Sequence, residues 1–273
     1  MKIPTAKKDT MDIRHPIDTR LPAMLRSGQR LRGVFNGLPS PAIVEMCAYA
    51  GFDFVIFDNE HGSADFETTE HMLRAARASG IVPVVRCLAP DISRILDMGA
   101  SAVQIPMVNG AEQARELVQQ VRYPAAGNRG SAFSPRAAGY GAFPGAEHTR
   151  VSNEGIALIA MIETPQAVER AGQIAAVEGI DAVFVGPNDL SHAMGLGSDW
   201  RAPPVQAAIE QALRAISGAG KCAGTLALTP EDEEKYAQWG ARYFASVTTS
   251  IISQAFRQAA SAGRCSSPVT LQY

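Results

Sequence analysis

The chain has 273 residues, of which 46% are hydrophobic, and its formal net charge is −2. This size and apolar content suit one large domain with a sizeable core. The small net charge argues against a nucleic-acid or anionic-membrane surface, the polar first twenty residues lack the apolar run of a secretory signal, and no later run is long enough to span a bilayer.

Short apolar runs alternate with helical patterns along the chain, which predicts an α/β fold with eight strand-helix pairs, a (β/α)8 barrel of TIM type. The predicted strands are 33–35, 54–57, 82–85, 102–105, 157–162, 182–185, 222–225 and 243–246. The predicted helices are 41–50, 66–79, 92–98, 111–122, 165–176, 204–219, 230–239 and 251–263. We therefore expect a polar N-terminal tail at 1–20, one barrel domain at 21–263 and a C-terminal tail at 264–273.

Two features stand outside the barrel pattern. The segment 123–153 is rich in Gly, Pro, Ala and Arg and has little periodicity, which is typical of a functional or interfacial loop. By chain order it leaves from the helix side of the barrel, so it either wraps around that rim or reaches a neighbouring subunit. The four cysteines are widely spaced, without metal-ligand or redox pairing, which favours reduced thiols in a cytosolic protein.

Two acidic motifs are the most informative part of the chain. Glu163 follows the fifth predicted strand, and Asp189 follows the sixth. Because the carboxyl ends of barrel strands meet on one rim, the two carboxylates are expected to converge on one cation. An all-oxygen pair suits Mg²⁺ or Mn²⁺ rather than Zn²⁺. The alternative is structural: both residues lie where a helix start favours an acidic residue.

The same rim receives a titratable group and a fixed cation. His61 follows the second predicted strand, and Arg86 closes the third. Each type of residue often has a structural role at a strand end, but a metal, a fixed cation and a base together are what stabilisation of an enolate requires.

The positions of the lysines exclude one kind of chemistry. Lys221 precedes its strand, Lys235 lies on a helix, and the others are in the first eight residues. A Schiff-base aldolase needs a lysine on the catalytic rim, so covalent imine chemistry is not expected.

Taken in order, these motifs resemble the HpcH/HpaI aldolase family over roughly residues 20 to 260. The resemblance rests on the segments 57–61, 84–86, 95–100, 105–108, 122–124, 127–130, 162–164 and 185–191. It implies a metal-dependent (class II) aldolase that reversibly cleaves a 4-hydroxy-2-oxo acid to pyruvate and an aldehyde through a pyruvate enolate held on the metal.

Residue roles follow from the resemblance. It implies that Glu163 and Asp189 bind Mg²⁺, Mn²⁺ or Co²⁺ and that Arg86 neutralises the enolate oxygen. His61, oriented by Asp97, acts with a water on the metal as acid and base.

Substrate-binding residues are implied as well. The backbone amides of Asn188 and Asp189 hold the pyruvate carboxylate, at the start of a helical turn. Phe35 and Arg129 complete the implied substrate-binding set.

The family is usually a hexamer built from dimers that exchange the C-terminal helix, so segment 251–263 is expected to pack on a neighbour. The chain also departs from the family pattern. The connection from Arg86 to Asp97 is a few residues shorter than in many relatives, Phe35 stands where some members have Trp, and Met161 where some have Gln. The aldehyde specificity of this chain therefore cannot be inferred from that of any relative.

Two alternatives stay open. One is another carbon–carbon lyase, either an oxaloacetate decarboxylase or a thioester lyase akin to the citrate-lyase β chain. A thioester lyase must hold a long anionic cofactor, for which the chain offers only Arg129, Arg136 and Arg150. The other is a barrel without catalysis that serves as a binding or assembly protein.

Overall fold

A computed structural model describes residues 14–143 and 145–262. Its strands are β1 (Leu31–Asn36), β2 (Phe54–Asp58), β3 (Val82–Arg86), β4 (Ala102–Ile105), β5 (Ala157–Ile162), β6 (Ala182–Val185), β7 (Cys222–Leu226) and β8 (Ala241–Val247). Its α-helices are α1 (Leu21–Arg26), α2 (Pro41–Tyr49), α3 (Phe66–Ser79), α4 (Ile92–Asp97), α5 (Ala111–Val121), α6 (Gly145–Gly155), α7 (Pro165–Glu169), α8 (Ala171–Ala175), α9 (Pro187–Ala193), α10 (Pro203–Gly218), α11 (Pro230–Gln238) and α12 (Thr248–Ala262). Two 3-10 helices span Ala89–Asp91 and Arg136–Gly141.

The eight strands form a closed parallel barrel in sequence order, with β8 paired to β1. The predicted (β/α)8 architecture is confirmed. Strand pairing sets the positions of the site residues. In the β2–β3 register, Asp58 and Arg86 lie side by side, and each is the last residue of its strand. In the barrel architecture, all these strand ends meet on one face.

Alternate strand residues fill two separate cores, as the pleat of a strand requires. One set points into the barrel, where the rings of Phe54 and Tyr243 stack with centroids 4.2 Å apart. The other set, including Val55 and Phe57, packs against the surrounding helices. Because both faces are covered, the strands are mostly apolar, which is why they read as nearly continuous hydrophobic runs.

Residues 14–20, predicted as part of a polar tail, pack on the barrel. Ile17 is buried, and the Asp18 N–H donates to Ser101 Oγ just before β4. Segment 123–153 contains a 3-10 helix and most of α6, and it reaches the same face, where His148 lies 3.2 Å from His15. The rest of the predicted N-terminal tail and the whole C-terminal tail lie outside the described residues.

No helix among the described residues has the length and apolar character to cross a membrane. Three of the four cysteines lie within the described chain, as free buried thiols, and Cys265 lies outside it. Burial raises the pKa of Cys87 and of Cys222 to about 12, so these thiols stay protonated at neutral pH.

Candidate active site

A cavity of about 210 Å³ opens at the carboxyl ends of the barrel strands. It brings together His61, Arg86, Glu163, Asn188, Asp189 and Phe35 of the predicted site residues. The remaining lining residues are Asp58, Met161, Phe184, Gly186, Pro187, Leu226 and Val247. Polar residues come from the β2, β3, β5 and β6 sides, whereas the β7, β8 and β1 sides contribute apolar residues.

Glu163 is a buried carboxylate, 2% exposed, and among the described residues it accepts a single hydrogen bond, from the Met107 N–H at 2.9 Å. Met107 has a φ of 56°, an uncommon conformation for a side-chain-bearing residue, and this turn directs its N–H to Glu163. Burial, with smaller contributions from the charges of Asp189 and Glu60, raises the pKa of Glu163 to about 7, although the Met107 N–H and the charge of Arg86 act to lower it. Within the described chain, no cationic side chain is bonded directly to this carboxylate.

Asp189 lies in the first turn of α9, which begins with Pro187 directly after β6. Its side chain is solvent-accessible at the mouth of the cavity, beside Asn188. The glycine before this turn is required by space: a Cβ at Gly186 would lie 2.6 Å from Glu163 Oε1 and 2.7 Å from its Cγ. Gly186 thus lets the Glu163 carboxylate pass close to the backbone that carries Asp189.

The Arg86 guanidinium is held rigidly. Its Nε and Nη2 donate to the two carboxylate oxygens of Asp58 at 2.9 and 2.6 Å. Its Nη1 lies 3.3 Å from Glu60 Oε2, within ion-pair distance but without hydrogen-bond geometry. Burial raises the pKa of Asp58, but the bonds and charge of Arg86, with two backbone N–H donors, outweigh burial and lower it.

His61 lies in the turn after β2, where Asp58 Oδ1 accepts the backbone N–H groups of Glu60 and His61. The turn is closed by Gly62, where a Cβ would meet the Asp58 carbonyl oxygen at 2.1 Å. The imidazole is 65% exposed, and its Nε2 lies 3.8 Å from Glu60 Oε2. The ring is thus accessible to a substrate and has a carboxylate nearby.

Asp97 and Arg129 occupy another position. Arg129 Nη2 donates to Asp97 Oδ1 at 2.8 Å, and the guanidinium lies over the Tyr123 ring, 4.4 Å from its centroid. The resemblance implied that Asp97 orients His61. Within the described chain these two side chains make no contact, and the carboxylate near His61 is that of Glu60. The Arg129 side chain is fully buried and does not line the cavity, so its placement does not support the predicted role in substrate binding.

Several site residues were not predicted from the sequence. The sequence could have indicated that Asp58 contacts Arg86, because these residues end the adjacent strands β2 and β3. The contact of Glu60 with Arg86 could not be predicted, because it depends on the conformation of the turn after β2. Phe184, Leu226 and Val247 read as ordinary strand residues, and only the position at the strand end distinguishes them.

The donor set fits a divalent cation. Two carboxylates, one buried and one accessible, lie on neighbouring strand ends, and the buried one has a raised pKa and a free oxygen. Hard oxygen donors with room for water and substrate oxygens are typical of Mg²⁺ and Mn²⁺. Among the described residues there is no cluster of three or more His, Cys, Asp or Glu side chains arranged to hold a metal.

Comparison with known proteins defines the class. Residues 31–252 match the HpcH/HpaI aldolase/citrate lyase family. The chain is 41% identical over 227 residues to a hydroxypyruvate/pyruvate aldolase of Delftia acidovorans, covering 82% of this chain and 84% of the relative. It is 37% identical over 225 residues to a 2-keto-3-deoxy-L-rhamnonate aldolase of Klebsiella pneumoniae, covering 81% and 84% respectively.

A solved structure gives the same assignment. An HpcH/HpaI aldolase/citrate lyase family protein from Burkholderia cenocepacia superposes with a TM-score of 0.85 at 31% identity, covering 90% of this chain and 99% of that one. The chain therefore belongs to the HpcH/HpaI aldolase/citrate lyase family, and the resemblance inferred from its motifs is confirmed.

Proposed function

We propose that this chain is a class II pyruvate aldolase, a carbon–carbon lyase that reversibly cleaves a 4-hydroxy-2-oxo acid into pyruvate and an aldehyde. The observation that carries the proposal is one cavity that holds a carboxylate pair, Glu163 and Asp189, together with the fixed guanidinium of Arg86. Family membership and the aldolase names of relatives at 37–41% identity support the same reaction class.

Glu163 and Asp189 are the residues that would hold the divalent cation, which would act as a Lewis acid toward the 2-oxo acid group of the substrate. Asn188 and Asp189 present backbone N–H groups in the first turn of α9, which suits a substrate carboxylate. The Arg86 guanidinium, oriented by Asp58, provides positive charge for the oxygen at C2.

Cleavage removes the proton of the C4 hydroxyl, and the C3–C4 bond breaks as the C4 carbonyl forms. The electron pair of that bond moves into C2 and C3, which generates the enolate of pyruvate. Arg86 stabilises the negative oxygen, and protonation of C3 gives pyruvate. His61 is the titratable group whose exposure lets it take the hydroxyl proton, and Glu60 is the carboxylate nearest its ring.

The family resemblance also supports a homohexamer in which α12 packs on a neighbouring subunit. On α12 only Thr248 is buried, whereas Ile251 is 45% and Phe256 71% exposed. Beyond its first turns, this amphipathic helix leaves its apolar side chains exposed, as the proposed exchange requires. The cytoplasmic location, expected from cysteine usage, stays a prediction.

The proposal is tested by pyruvate release, measured with a lactate-dehydrogenase-coupled assay on a panel of 4-hydroxy-2-oxo acids. We expect release with Mg²⁺, Mn²⁺ or Co²⁺ and its loss on chelation. Arg86→Ala should lower kcat by roughly 10²- to 10³-fold, the usual cost of removing one group that stabilises an oxyanion. No release from any of the acids, with each metal supplied, would contradict the proposal.

A further inference from the structure

We propose that a second cavity, at the amino-terminal face of the barrel, binds a small organic anion that carries two negative charges. This cavity has a volume of about 630 Å³ and lies between residues 14–20, α3 and the starts of β3 and β4. It shares no lining residue with the catalytic cavity, which opens at the opposite ends of the strands. The proposal concerns a separate site and does not depend on the aldolase activity.

The size and the walls of this cavity are those of a small-molecule site. Its apolar wall includes Ile17, Leu73 and Pro83, all of them buried. Cavities that bind small molecules typically measure about 300–1,000 Å³ and are mostly apolar, with a few charged groups that orient the ligand. Arg14 and Arg77 also line this cavity and are exposed, so it is reachable from solvent. A ligand with an apolar body and a charged end therefore fits.

The charge of the cavity is positive. Of its three arginines, Arg20 donates from Nε and Nη2 to Asp18, the one carboxylate among the lining residues. Arg14 and Arg77 have no carboxylate at ion-pair distance in the part of the chain that the structure describes. Two guanidinium groups thus stay without an opposite charge, in a chain whose formal net charge is −2.

The Arg77 guanidinium is held by the backbone and keeps free donors. Its Nη2 donates to the carbonyl oxygen of Arg14 at 2.6 Å, which brings the two arginines together. Its Nε and Nη1 have no hydrogen-bond partner among residues 14–143 and 145–262. The planar fork of a guanidinium matches the oxygens of a phosphate or a carboxylate, and such charge-assisted hydrogen bonds are strong.

His15 lines the cavity but adds no charge at neutral pH. Its Nδ1 accepts the Ile17 N–H at 3.2 Å, and its Nε2 lies 3.2 Å from His148 Nδ1. Burial, with smaller effects from the charges of His148 and Arg77, lowers the pKa of His15 to about 4. The two positive charges are therefore those of the arginines, and a dianion complements them.

The first residues of the chain do not supply this charge. Residues 1–13 contain Lys2, Lys7 and Lys8 against Asp9 and Asp12, so they are positive on balance. Like charges disfavour their binding beside two guanidinium groups. A separate anionic molecule is the better electrostatic match.

Isothermal titration calorimetry on the full chain with Mg²⁺ tests the proposal. The probes are phenyl phosphate and phthalate, which join an aromatic ring to two negative charges at pH 8, and the uncharged benzyl alcohol. We expect a Kd of about 1 mM or tighter for at least one dianion, and at least about tenfold weaker binding of benzyl alcohol. Tighter binding of phenyl phosphate indicates a phosphomonoester as the ligand class, and tighter binding of phthalate a dicarboxylate. Weaker binding of both dianions, or equal binding of benzyl alcohol, would overturn the proposal.

Arg77→Ala locates the binding. It should weaken the Kd of the better dianion at least about tenfold, because a charge-assisted hydrogen bond is lost. Arg115→Ala removes an exposed arginine of α5 outside the cavity lining and should keep the wild-type Kd. Equal Kd values in Arg77→Ala and wild type, as expected if the probe binds in the catalytic cavity, would overturn the assignment.

Arg14→Ala separates loss of charge from disturbance of residues 14–20. Arg77→Ala also removes the hydrogen bond to the Arg14 carbonyl oxygen, whereas the Arg14 side chain has no hydrogen-bond partner within the described chain. Arg14→Ala should therefore keep the wild-type urea midpoint without ligand and still weaken the Kd at least about tenfold. A wild-type Kd in Arg14→Ala would overturn the two-charge site.

Discussion

At the residue scale, close packing and hydrogen bonds, and not only charge, determine where the side chains of Glu163 and Arg86 lie. Glu163 is buried beside a backbone that has no Cβ at Gly186, and Met107 takes an uncommon conformation to donate to it. Arg86 is oriented by its two hydrogen bonds to Asp58. The groups proposed to bind metal and enolate are therefore set in place by neighbours that have no direct role in the chemistry.

Gly186→Ala should weaken Mn²⁺ binding by about 10- to 100-fold, the usual effect of disturbing a group that orients a metal ligand. The new methyl group would lie 2.6 Å from Glu163 Oε1, so the carboxylate must move. Affinity is measured by isothermal titration calorimetry. Gly218→Ala is the control, because a Cβ at Gly218 would have nothing within 4 Å. Equal affinities in Gly186→Ala and wild type would refute this role.

At the element scale, the strand ends were predictable and the contacts between side chains were not. Eight apolar runs alternating with helical patterns predicted the barrel, and parallel strands then place Glu163, Asp189, Arg86 and His61 on one rim. The Asp97–Arg129 pair depends on how segment 123–153 folds back, which no local pattern encodes. The short α9 is consistent with the helical turn expected after β6.

Asp97→Asn should lower the free energy of unfolding by about 1.5–3 kcal/mol, because the buried Arg129 guanidinium loses a charge-assisted hydrogen bond. Urea unfolding at fixed protein concentration measures the effect. Asp199→Asn removes an exposed carboxylate and serves as the control. If both variants unfold at the wild-type urea midpoint, the pair contributes nothing to stability.

The histidine pair between residues 14–20 and α6 predicts a pH effect on stability. Burial, with smaller effects from His148 and Arg77, lowers the pKa of His15 from 6.5 to about 4. The unfolded chain therefore takes up a proton that the folded chain refuses, and stability falls as the pH drops from about 6.5 to about 4. Below that range His15 is protonated in both states, so it adds no further pH dependence to the stability.

His15→Gln should flatten the fall in urea midpoint between pH 7 and pH 5. The exposed His71 provides the matched control, since His71→Gln is expected to keep the wild-type dependence. The interpretation is wrong if both variants follow the wild-type curve.

At the scale of the whole molecule, the exposed apolar faces point to assembly. Met46 and Tyr49 on α2 are 62% and 80% exposed, and an apolar cleft runs between α2 and the start of α12. Exposed apolar patches of this kind mark interaction surfaces. Family membership supports the proposal that a second copy of the chain covers them.

Phe256→Glu should reduce the assembly to smaller species, because it places a charge on an apolar face that is proposed to be buried between subunits. Size-exclusion chromatography with light scattering reports the mass. Gln258→Glu adds the same charge to the exposed α12 and is expected to retain the wild-type mass. A Phe256→Glu protein of unchanged mass would contradict the exchange of α12.

The central claim is that Glu163 and Asp189 hold a cation with which this chain forms the enolate of pyruvate. Exchange of the pyruvate methyl protons with deuterium, followed by NMR, tests it without any choice of aldehyde. We expect exchange with Mg²⁺ in wild type and in the exposed-carboxylate control Glu169→Gln, and none after chelation or in Glu163→Gln. Undiminished exchange by the chelated wild type and by Glu163→Gln would contradict the account.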